Sequence, residues 1–143
     1  MLSSYLTLLA GAAALTNAIS VPDLKHNYFN VTDCSFGCTS GCYYAFNVTI
    51  VGSEQNHPAV DIITECRGNT TATSYVDCTF VSETQSIGAY IDKHNQLQLA
   101  YYVNAMNGNH YSYFGNTTIY SETGPQAELA RKDFCVPENR ATV

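Results

Sequence analysis

The residues of this chain best equipped for covalent chemistry are its six cysteines: Cys34, Cys38, Cys42, Cys66, Cys78 and Cys135. The first three repeat as C-x-x-x-C-x-x-x-C, without the paired C-x-x-C spacing or the Cys-His cluster of a zinc site. They read as disulfide partners, the ordinary fate of an even cysteine set in an oxidising compartment. Acid–base chemistry falls to four histidines, His26, His57, His94 and His110, each placed in a loop or beside a turn. The sequence lacks H-E-x-x-H, G-x-S-x-G and a glycine-rich phosphate loop. Its carboxylates stand singly, so no glycosidase pair is defined by spacing. Four N-x-T triplets mark Asn30, Asn47, Asn69 and Asn116 as acceptors for N-linked glycans.

The N-terminal segment suits that chemistry. Leu2 to Ala18 is uncharged and rich in small residues, with small residues at Thr16 and Ala18 or at Ala18 and Ser20. The pattern predicts a signal peptide over residues 1–20, in preference to a signal anchor, and one secreted domain over 21–143. A formal net charge of −6, with only six Lys and Arg, leaves no basic stripe for nucleic acid or anionic membranes.

Hydrophobic periodicity supplies the elements that position these residues. Tyr44, Phe46, Val48 and Ile50 alternate with Asn47 and Thr49, predicting a half-buried strand. Val60 to Cys66 and Tyr75 to Val81 alternate in the same way. Val60, Ile62 and Cys66 share a face of the first and Val76, Cys78 and Phe80 a face of the second, with both cysteines on the apolar side. The pair reads as a hairpin clamped by a Cys66–Cys78 bridge worth about 3 kcal/mol. Ile87 to Ile91 and Leu97 to Ala105 read as further strands, turned around by Asp92 to Asn95. Asn107-Gly108 signals a two-residue hairpin turn into His110 to Phe114. Counting outward from that turn pairs Val103 with Ser112 and Tyr101 with Phe114 on the core face. Tyr102, Tyr111 and Tyr113 then form an outward patch, either cross-strand pairing or a binding surface. Val21 to Thr32 reads as a lead-in, Gln126 to Lys132 as a helical turn or two, Phe134 to Val136 as a short strand, and Pro137 to Val143 as a frayed tail. The expected fold is all-β, a small disulfide-stabilised antiparallel β-barrel or sandwich.

The combination of C-Y-Y-A-F-N-V-T at Cys42 to Thr49, I-T-E-C at Ile63 to Cys66, Y-V-D-C at Tyr75 to Cys78 and K-D-F-C at Lys132 to Cys135 resembles the small secreted fungal proteins of the Alternaria major allergen type. The likeness runs from Val31 to Val136. It implies a β-barrel, a non-enzymatic effector or allergen-like role, and a partner that is a host defence protein of the thaumatin-like class or a small phenolic ligand. It implies no cofactor. The chain departs from the allergen in its C-x-x-x-C-x-x-x-C cluster and in lacking a second cysteine near Cys135, so no binding residue is carried over. The Cys34 to Tyr43 spacing also resembles the acidic, tyrosine-rich fungal ribonucleases that cut after guanine. That resemblance implies Cys34–Cys42 and Cys38–Cys135 bridges. It also implies a base, an acid and an arginine among His57, Glu65, Arg67 and His94 or His110. Their spacing departs from those enzymes, and a strand follows the cysteines where a helix is expected. A structural role in a cell wall is the remaining alternative.

Overall fold

The computed structural model describes residues 27–52 and 56–143; the expected signal peptide and His26 lie outside them. Two antiparallel sheets pack face to face and do not close into a barrel, so the fold is sandwich-like. The strands are β1 (Tyr28–Cys38), β2 (Cys42–Val51), β3 (Val60–Asn69), β4 (Val76–Asp77), β5 (Gln85–Ile91), β6 (Gln96–Asn104), β7 (His110–Thr118), β8 (Phe134–Pro137) and β9 (Arg140–Thr142). The four-stranded sheet runs β3-β2-β1-β8 and the five-stranded sheet β4-β5-β6-β7-β9. Between them Phe29, Val31, Phe36, Phe46, Val48 and Ile50 meet Ile87, Leu97, Leu99 and Tyr101. Burying each such side chain contributes about 1.5–3 kcal/mol.

The alternation in β2 is borne out, with Tyr44, Phe46, Val48 and Ile50 all buried. What precedes it is a full strand, not a lead-in. In β1 the inward set is Phe29 and Val31, then Cys34 and Phe36. A one-residue bulge between Thr32 and Ser35 breaks the period of two, and Asp33 takes a positive φ of 51° there. The chain then turns through Thr39 to Gly41, and Cys38 bridges its cross-strand partner Cys42.

Cys66–Cys78 is formed as expected, but it does not clamp a hairpin. β3 belongs to the four-stranded sheet, whereas β4 pairs with β5 in the other. The Cys78 N–H donates to the Ile87 carbonyl and the Thr79 N–H to the Glu65 carbonyl. The chain therefore changes sheets at the cystine, which crosses the sandwich. That crossing also corrects the predicted faces: Ile62, Val76 and Phe80 are exposed. Ile62 sits in a bulge where three residues of β3, Asp61 to Ile63, stand against the single residue Thr49 of β2.

The C-terminal residues are not a frayed tail. β8 pairs with β1 and β9 with β7, so the segment joins both sheets. Residues Ala127–Leu129 form one turn of 3-10 helix.

Candidate binding face

The β6–β7 turn fixes which aromatic rings face outward. The Ala105 N–H donates to the Asn109 carbonyl and the Gly108 N–H to the Ala105 carbonyl, with Gly108 at a φ of 87°. This is a three-residue loop with glycine in the left-handed position, not the two-residue turn expected from Asn107-Gly108. One extra loop residue slips the register by one and exchanges the faces. Tyr101 pairs with Tyr113, Val103 with Tyr111 and Tyr102 with Ser112. Tyr111 and Tyr113 therefore share the inward face of Tyr101, and both pack against the core. Of the expected outward patch, Tyr102 alone remains outside.

The rings that join Tyr102 come from elsewhere. Across the middle of the five-stranded sheet, the outward row is Asp77, Gly88, Ala100, Phe114 and Arg140. Gly88 and Ala100 leave a low strip, which side chains from neighbouring rows cover until both are buried. A Cβ on Gly88 would lie 3.1 Å from the Tyr75 Cβ, so glycine lets Tyr75 settle there. Tyr75 meets Tyr90 edge-on at 5.0 Å and lies 5.8 Å from Phe114, while Tyr102 meets Phe114 edge-on at 6.3 Å. The Arg140 guanidinium stacks over Phe114 at 4.1 Å from the ring centroid. All four rings are half-buried, with Ser86, Gln98, Asn104 and Ser112 among them or at their rim. Desolvation, with Asp77 nearby, pushes the Tyr102 phenol up from its ordinary value. Desolvation, with the Tyr90 and Tyr102 phenols, does the same to Tyr75 against the opposing pull of Arg140.

The residues nominated for ribonuclease chemistry do not converge. His57 is fully buried, with Nε2 on the Glu138 carboxylate. Its ring packs edge-on against Tyr101 at 5.3 Å and Tyr113 at 4.3 Å. The Tyr101 hydroxyl donates to the Pro58 carbonyl and the Tyr113 hydroxyl to the Asn56 carbonyl, each at 2.6 Å. Nδ1 of His57 has no hydrogen-bond partner among the described residues. This sealed cluster fastens the β2–β3 connection to the second sheet and to the C-terminal segment. Arg67 and Glu65 instead form an exposed ion pair at 2.9 Å on the other sheet. His94 lies in the β5–β6 turn, and the His110 Nδ1 meets the Asn104 Oδ1 at 2.6 Å. No group of three or more His, Cys, Asp and Glu side chains suited to a metal ion occurs among the described residues.

The bridges implied by the ribonuclease resemblance are replaced as well. Cys38 is joined to Cys42, so neither Cys34–Cys42 nor Cys38–Cys135 forms. Cys34 and Cys135 are free thiols. Cys34 points into the core, while Cys135 lies exposed beside Asn30 on the outside of the same sheet. Burial, helped by Glu122, pushes the Cys34 thiol up to about 11.

The glycan acceptors occupy the outer surfaces. Asn30 pairs with Thr49 and Thr32 with Asn47, so two acceptor triplets interlock on the outside of the four-stranded sheet. Asn69 ends β3, where its Oδ1 accepts from the Thr71 N–H at 3.0 Å. Asn116 lies on the aromatic face, opposite Gln98. No helix among the described residues is long and apolar enough to cross a membrane. The two cystines fit an oxidising environment. No family model, curated protein or solved structure matches the chain.

Proposed function

We propose that this chain is a secreted, glycosylated, non-enzymatic binding protein of the effector or allergen-like kind, whose recognition surface is the outward face of the five-stranded sheet. The observation that carries the reading is the cluster of Tyr75, Tyr90, Tyr102 and Phe114 held over the Gly88–Ala100 strip. Tyrosine provides contact area at low entropic cost, and the interspersed serine and amide side chains supply adaptable hydrogen bonds. That mixture on an open sheet suits a protein surface better than a small phenolic molecule. A recess of about 480 Å³ on the opposite sheet, lined by Ser35, Tyr43, Ala45, Arg67 and Asn69, carries a glycan acceptor in its own wall. The partner is accordingly a host extracellular protein, in keeping with the fungal resemblance.

The test begins with capture from host extracellular fluid, followed by affinity measurement with the purified partner. A Tyr75→Ser/Tyr102→Ser variant is expected to lose about thirtyfold in affinity, the mark of a binding hot spot. Tyr43→Ser, on the other sheet, is expected to leave affinity unchanged. Equal affinities for all three proteins would refute the assignment of the face. Cleavage of RNA that vanishes in His57→Ala would refute the non-enzymatic reading.

A further inference from the structure

Asn107 is the one asparagine of the sequence followed by glycine, and the loop joining β6 to β7 holds its side chain in a reactive posture. The Asn107 Oδ1 accepts from the Asn109 N–H at 2.9 Å. That hydrogen bond folds the side-chain amide back along the main chain of Gly108, as in an Asx turn. Gly108 sits at a φ of 87°, and nothing lies within 4 Å of the place a Cβ would take. Asn107, Gly108 and Asn109 are all exposed. Asn69 provides a matched contrast in the same molecule. Its Oδ1 accepts from the Thr71 N–H at 3.0 Å, so its side chain is folded in the same way. The next amide is engaged in both places: the Gly108 N–H donates to the Ala105 carbonyl at 3.0 Å, and the Thr70 N–H to the Cys42 carbonyl at 3.2 Å. Two differences remain. The residue after Asn69 carries a β-branched side chain, and its N–H is tied to a neighbouring strand instead of to its own loop.

We propose that Asn107 is a site of spontaneous deamidation in the folded protein, where the main-chain nitrogen of Gly108 closes on the Asn107 side-chain amide and water then converts that amide to a carboxylate. Hydroxide takes the proton from the Gly108 nitrogen, which forms a bond to the Asn107 Cγ. The displaced electron pair moves to Oδ1, where the Asn109 N–H already stands to stabilise the developing oxyanion. As the carbonyl re-forms, the bond from Cγ to Nδ2 breaks, and the nitrogen leaves as ammonia with a proton from water. Freeing the nucleophile breaks the Gly108–Ala105 hydrogen bond, while the Ala105 N–H on the Asn109 carbonyl keeps the loop closed. At Asn69 the same attack meets the stiff, branched side chain of Thr70. Water opens the resulting succinimide in either of two ways. Attack at Cγ leaves an aspartate in an unchanged main chain. Attack at the main-chain carbonyl leaves an isoaspartate, whose extra methylene lengthens the loop that sets the β6–β7 register. Both products add negative charge to a chain already at −6. Both also place a carboxylate where the Asn107 Nδ2 donates to the Tyr111 hydroxyl at 3.5 Å.

The experiment is a time course on folded, disulfide-intact protein in mildly alkaline buffer, with aspartate and isoaspartate scored at each asparagine by peptide mass spectrometry. It uses a Thr71→Ala background, which removes the acceptor triplet at Asn69 and keeps the main-chain N–H that holds its side chain. Position 107 is expected to convert at least about tenfold faster than position 69, and faster still as pH rises. Gly108→Ala is expected to slow conversion at 107 by about tenfold. Should its positive φ prevent that variant from folding, Gly108→Asn replaces it, since asparagine tolerates the left-handed region and still crowds the nitrogen. Conversion at 107 no faster than at 69, conversion at 107 only after unfolding in urea, or an unchanged rate in the Gly108 variant would each overturn the proposal. The readout is covalent modification, so its failure leaves the partner-binding reading separately testable.

Discussion

Replacing His57 with alanine is the most demanding perturbation of this fold. The imidazole is fully buried, and its Nε2 is bound to a Glu138 side chain only 7 % exposed. Removing the ring strands that carboxylate in the interior, and breaking one partner out of a buried pair costs about 3–5 kcal/mol. Two edge-on aromatic contacts vanish with it, at about 0.5–1.5 kcal/mol each, although partial collapse of the site recovers some of this. The expected total is about 4 kcal/mol, a large share of the 5–15 kcal/mol that holds a typical domain. His57→Phe keeps a ring between Tyr101 and Tyr113 but leaves Glu138 unmatched, so it separates packing from pairing. Urea unfolding of His57→Ala, His57→Phe, Glu138→Ala and the double variants measures both parts. His57→Ala and Glu138→Ala are expected to be strongly non-additive, because the second truncation removes the group left unpaired by the first. A loss below about 1 kcal/mol for His57→Ala, or additivity within about 0.5 kcal/mol, would refute the view that this pair ties the β2–β3 connection to the C-terminal segment.

Three further outcomes follow from the same packing. Cys66→Ala/Cys78→Ala, which opens a sheet-to-sheet bridge between residues 12 apart, is expected to cost about 3 kcal/mol. Cys38→Ala/Cys42→Ala, closing a span of only 4, should cost less in the same urea titration, and the reverse order would contradict the topology. Alkylation of native protein near pH 8 is expected to label exposed Cys135 and to spare Cys34, whose thiol burial pushes up to about 11, until denaturant is added. Equal labelling rates by mass spectrometry would show that the core does not cover Cys34. Burial, with Glu138 adding and the Gln85 hydrogen bond opposing, pushes the Tyr101 phenol up to about 12. The fold favours the protonated phenol, so its contribution is complete below the ordinary tyrosine pKa of about 10 and is lost as pH rises through about 12. Ultraviolet titration should show Tyr101 ionising last, together with unfolding, and a fully reversible titration of every tyrosine near 10 would refute its burial.

The fold class was legible because strands β2, β5 and β6 alternate cleanly and each turns one apolar face to a single core. β1 was not, since the bulge at Asp33 moves the inward set from odd to even positions within one strand. The Cys66–Cys78 bridge was readable from spacing and facing, but not the change of sheet it spans. Only the hydrogen bonds of Cys78 and Thr79, to opposite sheets, reveal that crossing. The candidate face failed on one residue of loop length. Asn107-Gly108 is compatible with two- and three-residue hairpin loops, and the choice between them exchanges Tyr113 for Phe114 on the outside. Tyr75 carried no local signal of joining that face, because β4 pairs with β5 and not with β3, the partner expected from sequence.

Where the rings sit bears on what the face can do. Tyr90, Tyr102 and Phe114 are borne by paired strands and not by loops, and Tyr75 is pinned over Gly88 at the end of β4. Their edge-on packing fixes each ring against the next before any partner arrives. Little side-chain entropy remains to be lost on association, which strengthens binding without adding contact area. The histidine pair acts in the opposite sense, spending its polar groups inside the protein where no substrate atom reaches them. An enzyme needs its titratable groups at the surface of a cleft, whereas a binding module needs rigid aromatic area in the open. The half-buried rings of the five-stranded sheet are the feature on which the proposed binding role rests.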